Sequence, residues 1–177
     1  MTLLTKTGNE ADKKQSRISD DFDILRYSAL FSGVNLEVVK LFAYLATHRL
    51  FKAGDWLIEQ DTKANQAFIL LHGKVEITAK YQGQDIVLQE LAQDSFFGEL
   101  ALLAQFKWFF SARALEDAEV LIIDRTAFQK VLGKYPEHKD KLIERIIKLR
   151  IDRLTHQTLH MLKRLVDKEN EPPIPIL

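Results

Sequence analysis

Cysteine is absent from the 177 residues of the chain. Without thiols, the protein forms no disulfide and cannot hold zinc or an iron–sulfur cluster through cysteine ligands. The absence of disulfides is typical of proteins that function in the reducing cytosol. We therefore expect a cytoplasmic protein.

Long hydrophobic runs and an excess of one charge are also missing. A membrane-spanning helix needs roughly 18 consecutive apolar residues, and no segment approaches that length. The polar N-terminus lacks the apolar centre of a signal peptide. The 25 basic and 25 acidic residues cancel, so no overall field attracts nucleic acid or an anionic membrane surface. These absences predict that neither a membrane nor DNA is a partner.

Proline is scarce, and three of the four prolines lie in the final "EPPIPIL". Because proline breaks a helix, this stretch is a tail. Composition and periodicity divide the chain into a mobile polar arm at 1–18, a globular unit with two leading helices at 19–135, a long helix at 136–168 and the tail at 169–177. The 46% hydrophobic content is enough for a packed core.

Short strand patterns separated by turn residues fill the region between His48 and Asp124. "AFILLHGKVEITAKYQGQDIVLQEL" contains three such runs, with turns at Gly73 and Gly83, and "YQGQD" is typical of a hairpin. Many short strands at close spacing favour an antiparallel barrel or sandwich over a parallel sheet. A helix is expected before them, in "NLEVVKLFAYLATH", with Asn35 as its N-cap.

The long C-terminal helix has two apolar stripes. Leu142, Ile146 and Leu149 form one, which we expect to dock on the strands. The other follows heptad spacing, interrupted by the polar Thr158, and is typical of a dimerisation helix. The sequence therefore predicts a homodimer through Ile147, Ile151, Leu154, Met161 and Leu165.

The stretch "FFGELALL" is typical of a site for a sugar phosphate. Gly98 lets the backbone approach a ligand closely. A short helical turn at Leu100 and Ala101 presents free amides to an anion. Glu99 repels a phosphate but accepts a hydrogen bond from a ribose hydroxyl. A plain turn between strands remains the alternative for this stretch taken alone.

The order of the motifs resembles the cyclic nucleotide-binding domain family. "FFGELALL" is followed by "RAL", by "EVLIIDR" and by a long helix, and the resemblance runs from about Ile24 to about Leu165. It implies a mainly β fold with flanking helices, an eight-stranded antiparallel jelly-roll barrel followed by the long C-terminal helix. It also implies that Glu99 binds the ribose 2′-hydroxyl of cyclic AMP or cyclic GMP, and that amides near Leu100 and Ala101 bind its phosphate.

The chain departs from the family where the phosphate-binding arginine is expected. The family's Pro-Arg-Ser or Pro-Arg-Thr aligns with Lys107, Trp108 and Phe109. A slip of the register by one residue would make Lys107 the phosphate cation, but lysine neutralises a phosphate as a point charge and cannot form the bidentate pair that arginine forms. Removing one partner of a buried charge pair costs about 2–5 kcal/mol, or roughly 30-fold to several thousand-fold in affinity. We therefore expect cyclic nucleotide binding to be weak or absent.

Three interpretations of the aromatic residues in "KWFF" stay open. The rings pack into the core and fill the vacated pocket, they form an exposed patch for a partner or a second copy, or Trp108 stacks on the flat ring of a different ligand.

No nucleophile–base pair, phosphate-binding P-loop or paired carboxylates suggest catalysis, so we predict no catalytic residue, no metal site and no enzymatic activity. The resemblance implies a stand-alone regulatory sensor that signals through its C-terminal helix to a partner protein. Its phosphate-binding cassette, the stretch around "FFGELALL", is degenerate because the usual arginine is missing. The alternative is a ligand-independent adaptor dimer that uses the aromatic patch and the helix for protein contacts. The chain stops soon after the helix, without a helix-turn-helix, which also argues against DNA binding.

Overall fold

The computed structural model of the protein describes residues 17–169. Helix α1 spans 17–27 and α2 spans Leu36–Leu45. Ten strands follow: β1 Thr47–Phe51, β2 Trp56–Ile58, β3 Lys63–Ala64, β4 Gln66–His72, β5 Val75–Tyr81, β6 Gln84–Leu91, β7 Phe96–Phe97, β8 Phe106–Lys107, β9 Ser111–Ala114 and β10 Ala118–Asp124. A 3-10 helix, Glu99–Leu102, lies between β7 and β8, and another, Pro136–His138, precedes α4. Helix α3 spans Arg125–Lys134 and α4 spans Lys139–Glu169.

The boundaries differ from the predicted ones in three places. The long helix begins at residue 139 rather than 136, after the separate 3-10 helix Pro136–His138, and it includes residue 169 of the predicted tail. The third difference is at the start of α1. Residues 17 and 18, which the sequence assigns to the arm, are helical. The rest of the predicted arm and the tail from residue 170 onward lie outside the described residues.

The strands form three antiparallel sheets rather than one closed barrel. Their orders are β1-β10-β4-β7, β2-β9-β5-β6 and β3-β8. The prediction of a mainly antiparallel β fold with flanking helices is confirmed, whereas the expected eight strands are ten in the structure. Three of them (β3, β7 and β8) have only two residues each, which is too short to leave a readable alternation in a sequence.

Strands β4 and β10 separate two hydrophobic cores. Alternate side chains of a strand point to opposite faces of its sheet. Ala67 and Ile69 of β4 therefore pack into a core under the four α-helices, while Phe68 and Leu70 pack into a core between the two large sheets. Because both faces are covered, this strand is an uninterrupted apolar run in the sequence.

The helix cap and the hairpin turn that the sequence predicts are both present in the structure. The Asn35 side chain accepts a hydrogen bond of 2.9 Å from the backbone amide of Glu37, so Asn35 is the N-cap of α2. The β5–β6 hairpin turns at Gln82 and Gly83, both at positive φ, as the tight twisted turn of such a hairpin requires.

The first turns of helix α4 pack against the core, whereas the apolar side chains farther along the helix are largely exposed to solvent. Leu142 and Ile146 are fully buried in the core that the helices share with β4 and β10, and Leu149, the third residue of the predicted docking stripe, is partly buried against it. The expected dimer stripe is largely exposed: Ile147 by 46%, Ile151 by 55%, Leu154 by 46% and Met161 by 64%. The side chain of Leu165 lies outside the described residues. Among residues 17–169, every helix is too short or too polar to cross a bilayer.

A histidine between two carboxylates joins α1 to the first sheet. His48 Nε2 contacts Oδ1 of the buried Asp21 in α1, and His48 Nδ1 lies 2.9 Å from Glu119 Oε1 in β10. Burial alone lowers the pKa of His48, but the two carboxylates outweigh it and the pKa lies above its ordinary 6.5. Burial raises the pKa of Asp21, although His48 opposes the rise.

We expect His48→Gln to lower the free energy of unfolding more at about pH 6 than at about pH 9. The pKa of His48 is raised in the folded protein, so its stabilisation is fully present below the unfolded pKa and is lost as the pH rises through the folded one. The expected loss is about 1–2 kcal/mol at the lower pH and smaller at the higher pH. Urea denaturation at both pH values measures it, with the exposed His72→Gln on β4 as the control. If His48→Gln lowers the free energy of unfolding equally at both pH values, the stabilisation does not come from a protonated His48 between Asp21 and Glu119.

Candidate functional site

A glycine in the left-handed region connects β7 to the 3-10 helix Glu99–Leu102. Gly98 has a φ of +76°, which side-chain-bearing residues rarely adopt. A Cβ at Gly98 would lie 3.0 Å from the carbonyl oxygen of Gln66 and 3.0 Å from Cη2 of Trp108. The turn therefore requires glycine both for its backbone conformation and for the indole packed against it. We use the term cassette for residues Gly98 to Ala104.

Glu99, the predicted partner of a ribose hydroxyl, is paired with helix α4. Its side chain is 3% exposed, and both carboxylate oxygens accept hydrogen bonds from Arg153 Nη1, at 3.1 and 3.2 Å. Arg153 Nη2 donates to the carbonyl oxygen of Phe96 at 2.6 Å. One guanidinium therefore holds the buried carboxylate and the end of β7 together, and α4 lies against the cassette.

The predicted phosphate-binding amides are in the 3-10 helix. The amide of Ala101 donates to the carbonyl of Gly98 at 2.9 Å, so it completes the turn rather than facing an open pocket. Leu100 is partly buried and packs against the helical core.

Trp108 fills the place that the resemblance gives to the phosphate-binding arginine. Its side chain is 5% exposed and belongs to the core between the sheets. Its ring centroid lies 5.4 Å from that of Phe106 and 5.2 Å from that of Phe110. Of the three interpretations of "KWFF", packing applies to Trp108, whereas Phe109 is 59% exposed.

Lys107, the alternative phosphate cation, lies on the exposed side of β8, opposite Lys63 of β3. It does not line the cleft beside the cassette.

The cleft between the cassette, the β5–β6 hairpin and α4 has a volume of about 1510 Å³. Gly98, Glu99, Leu100, Trp108 and Phe109 line it on the side of the strands, and α4 forms the facing wall. The structure thus brings five of the seven predicted site residues to this cleft. Ala101 is fully buried behind it.

Arg125 holds the far end of the cassette. From the first turn of α3, its guanidinium donates to the carbonyl oxygens of Ala101, Ala104 and Ala64. These bonds tie the cassette to β3 and α3.

Sequence reasoning missed both arginines that organise the cassette. No role is assigned to Arg153 from the sequence, and Arg125 is included only as the last residue of "EVLIIDR". The available signal was the carboxylate of Glu99, because a buried carboxylate requires a cationic or hydrogen-bonded partner.

Comparison with protein families gives one match, in the region that contains the cassette. Residues 48–135 match the model described as "Cyclic nucleotide-binding domain". Among curated proteins, the chain is 28% identical over 129 residues to the cGMP-dependent protein kinase, isozyme 1, of Drosophila melanogaster, covering 71% of this chain and 17% of that protein. It is 31% identical over 90 residues to human cGMP-dependent protein kinase 2, covering 49% of this chain and 12% of that protein. The chain therefore spans less than a fifth of the length of these relatives.

Solved structures show the same fold. A cyclic nucleotide-binding-like protein from Brucella abortus is 27% identical with a TM-score of 0.59, and the match covers 64% of this chain and 98% of that one. The catabolite activator protein of Thermus thermophilus is 26% identical with a TM-score of 0.63, and the match covers 78% of this chain and 63% of that one. The fold is also shared, with a TM-score of 0.63, by the regulatory subunit of a cAMP-independent protein kinase A from Trypanosoma brucei. That chain is 18% identical, and the match covers 81% of this chain and 49% of that one.

Proposed function

This chain belongs to the cyclic nucleotide-binding domain family, and we propose that it is a non-enzymatic regulatory module whose cassette binds cyclic AMP and cyclic GMP weakly or not at all. It passes its signal to a partner protein through α4.

The observation that carries this proposal is the pairing of Glu99 with Arg153. A cyclic nucleotide needs the Glu99 carboxylate for its ribose hydroxyl, and both oxygens of that carboxylate already accept hydrogen bonds from Arg153. A ligand must therefore break a charge-assisted pair before it forms its own bond.

The position that the resemblance gives to the phosphate-binding arginine is occupied by the buried Trp108, so that position supplies no guanidinium to compensate for this loss. Losing one buried charge partner costs about 2–5 kcal/mol, which moves a micromolar site toward the millimolar range.

The proposed route for the signal follows from the same contact. Helix α4 contacts the cassette through the hydrogen bonds of Arg153 to Glu99, and its exposed apolar stripe begins nearby at Ile147 and Ile151. Anything that changes the hydrogen bonding of Glu99 changes how firmly α4 is docked, because the two equilibria are linked.

Calorimetric titration with cyclic AMP and cyclic GMP tests the proposed function. We expect no binding with a Kd below about 1 mM, which corresponds to the estimated loss in affinity. The double variant Trp108→Arg with Arg153→Gln restores a guanidinium and frees Glu99. If circular dichroism shows that it folds, it should bind cyclic AMP roughly 30-fold or more tightly than the natural chain. Low-micromolar binding by the natural chain contradicts the proposal.

A second candidate function, an adaptor dimer, is favoured by the exposed stripe on α4. Ile147, Ile151 and Leu154 repeat at heptad spacing and are each about half exposed, an arrangement that favours pairing with a second copy of the helix.

We expect the natural chain to sediment as a dimer at roughly 10 μM, where interfaces of this kind associate. Replacing Ile151 and Leu154 by aspartate places charges on the apolar seam, so the variant should sediment as a monomer. Lys148→Asp, an exposed change on the same helix, is the control. A monomeric natural chain, or an unchanged mass for the aspartate variant, refutes the dimer.

A further inference from the structure

Asp21 is a buried carboxylate on α1, outside the cassette. Among the side chains that the structure describes, Asp21 and Glu99 are the two that are both charged and buried. A buried carboxylate needs a hydrogen-bond donor or a cation, and Asp21 has His48 of β1, whose Nε2 contacts its Oδ1. Helix α1 is therefore joined to the first sheet through a side chain that gains and loses a proton near neutral pH.

The ring of His48 lies between carboxylates of two different elements. Its Nε2 faces Asp21 of α1, and its Nδ1 lies 2.9 Å from Oε1 of Glu119 in β10. A neutral imidazole has one N–H and one lone pair, so it donates to one carboxylate while its lone pair faces the other. The imidazolium donates to both. We use the term latch for these three residues, whose geometry fits the protonated ring.

The cations of the neighbouring elements pair with other groups. Arg26 of α1 and Lys40 of α2 each form an ion pair with a carboxylate of their own helix. Arg49, next to His48 on β1, lies 4.9 Å over the ring of Phe51, which packs in the core between the large sheets. Among the contacts of the described residues, the positive charge between the two carboxylates of the latch is therefore that of His48.

The remaining titratable groups around the latch are exposed to water. Asp20 precedes Asp21 in α1, and Arg17 lies one helical turn before it. His72 of β4 stands opposite Glu119 in the strand register. Because interactions through water are weak, the charge state of the latch depends mainly on its own three side chains.

We propose that the latch is a pH-sensitive switch, which holds α1 on the first sheet while His48 carries a proton and loosens α1 when that proton leaves. The input that this regulator detects is the proton concentration. The inference rests on the proposed function in one respect, because it takes α4 as the element that carries the signal.

The pH at which α1 loosens follows from the surroundings of the ring. Burial lowers the pKa of His48, but the hydrogen bonds to the two carboxylates outweigh it, and the pKa lies above its ordinary 6.5 in the folded protein. The latch therefore contributes fully below the unfolded pKa, and its contribution is lost as the pH rises through the folded one. The switch operates on the alkaline side of pH 6.5.

A shared core and a hydrogen bond connect α1 to the beginning of α4. Leu25 of α1 is fully buried in the same core as Leu142 and Ile146 of α4. Just beyond α1, the carbonyl oxygen of Ala29 accepts a hydrogen bond of 3.0 Å from Nη1 of Arg145 in α4. A change in the docking of α1 therefore changes how firmly the first turns of α4 are docked, because the two equilibria are linked.

Hydrogen exchange of the full chain tests the proposal, when it is followed by nuclear magnetic resonance and corrected for the intrinsic effect of pH on exchange. The opening constant of α1, measured at the amide of Leu25, should rise roughly tenfold or more between about pH 6 and about pH 9, since a hydrogen bond to a charged group contributes about that factor. The amide of Ile146 in α4 should follow in the same pH range. The amide of Leu70 in β4 reports global unfolding and should exchange more slowly than that of Leu25 at both pH values.

Two isosteric variants and a control locate the switch. Asp21→Asn removes the buried carboxylate, so the opening constant of α1 should change with pH by less than about threefold. Glu119→Gln alters a partly buried side chain of β10 and should lower the pH at which α1 loosens, because one of the two carboxylates that raise the pKa of His48 is gone. Asp20→Asn, at the neighbouring exposed carboxylate, should leave the pH dependence unchanged.

The outcomes separate this proposal from the proposed function. If the opening constant of α1 is the same at both pH values, if Leu25 exchanges only as slowly as Leu70, or if both variants of the latch keep the full pH dependence, the latch is not a switch. If Leu25 responds and Ile146 does not, α1 does not act on α4 and the regulatory inference is wrong. Low-micromolar binding of cyclic AMP overturns the proposed function instead, and it leaves the pH dependence of α1 standing.

Discussion

Trp108→Ala should lower the free energy of unfolding by about 3–5 kcal/mol, the usual loss for removing a large aromatic side chain from a core. The indole is 5% exposed and packs against Phe106 and Phe110. It also fills the space above Gly98, where an added Cβ would already lie 3.0 Å from its ring. Its removal therefore leaves a cavity between the two sheets and loosens the turn that begins the cassette.

Urea denaturation of the variant measures this loss. Phe109→Ala is the matched control, because the neighbouring ring is 59% exposed and should contribute less than about 1 kcal/mol, in keeping with surface positions. Comparable losses for the two variants contradict the inward position of Trp108 and favour a surface role for the indole.

Arg153→Gln should destabilise the protein by about 2–3 kcal/mol. Breaking a fully buried ion pair costs about 3–5 kcal/mol, and the value is reduced here because Arg153 is 31% exposed, although Glu99 is only 3% exposed. The variant leaves the carboxylate buried with no cation and leaves the carbonyl of Phe96 without its donor. Helix α4 should then separate from the cassette.

A double-mutant cycle isolates the pair. Glu99→Gln should cost less than Arg153→Gln, because the arginine left behind reaches solvent whereas the carboxylate does not. The combined variant should recover part of the sum, with a coupling of about 1 kcal/mol or more. Arg150→Gln, a cation on the same helix for which the described residues provide no side-chain partner, should change stability by less than about 0.5 kcal/mol. If the losses in stability of the two single variants simply add in the double variant, Glu99 and Arg153 do not interact.

Features encoded within a few residues could be predicted from the sequence. The cap at Asn35, the hairpin at Gln82 and Gly83 and the docking of Leu142 and Ile146 depend on local chemistry or on the period of one helix. The family resemblance depends on the order of "FFGELALL", "RAL", "EVLIIDR" and the long helix, so the fold could be predicted correctly apart from the number of strands and the closure of the barrel.

The candidate site was less predictable because its contacts join distant residues. Glu99 and Arg153 are 54 residues apart in the chain, and "GEL" alone does not reveal that an arginine of α4 lies beside it. The substitution at Trp108 was visible in the sequence, but the direction of its ring was not. That direction depends on Phe106, Phe110 and Gly98, which meet only once the sheets are packed.

The distance between the strands and α4 tests the central claim, that α4 stays docked on the cassette and cyclic nucleotides do not release it. The chain has no cysteine, so Glu90→Cys on β6 and Asp152→Cys on α4, both exposed, can carry a pair of spin labels. Pulsed electron paramagnetic resonance should give one narrow distance distribution, unchanged by millimolar cyclic AMP or cyclic GMP. A broad distribution without nucleotide, or a shift when either nucleotide is added, contradicts the claim.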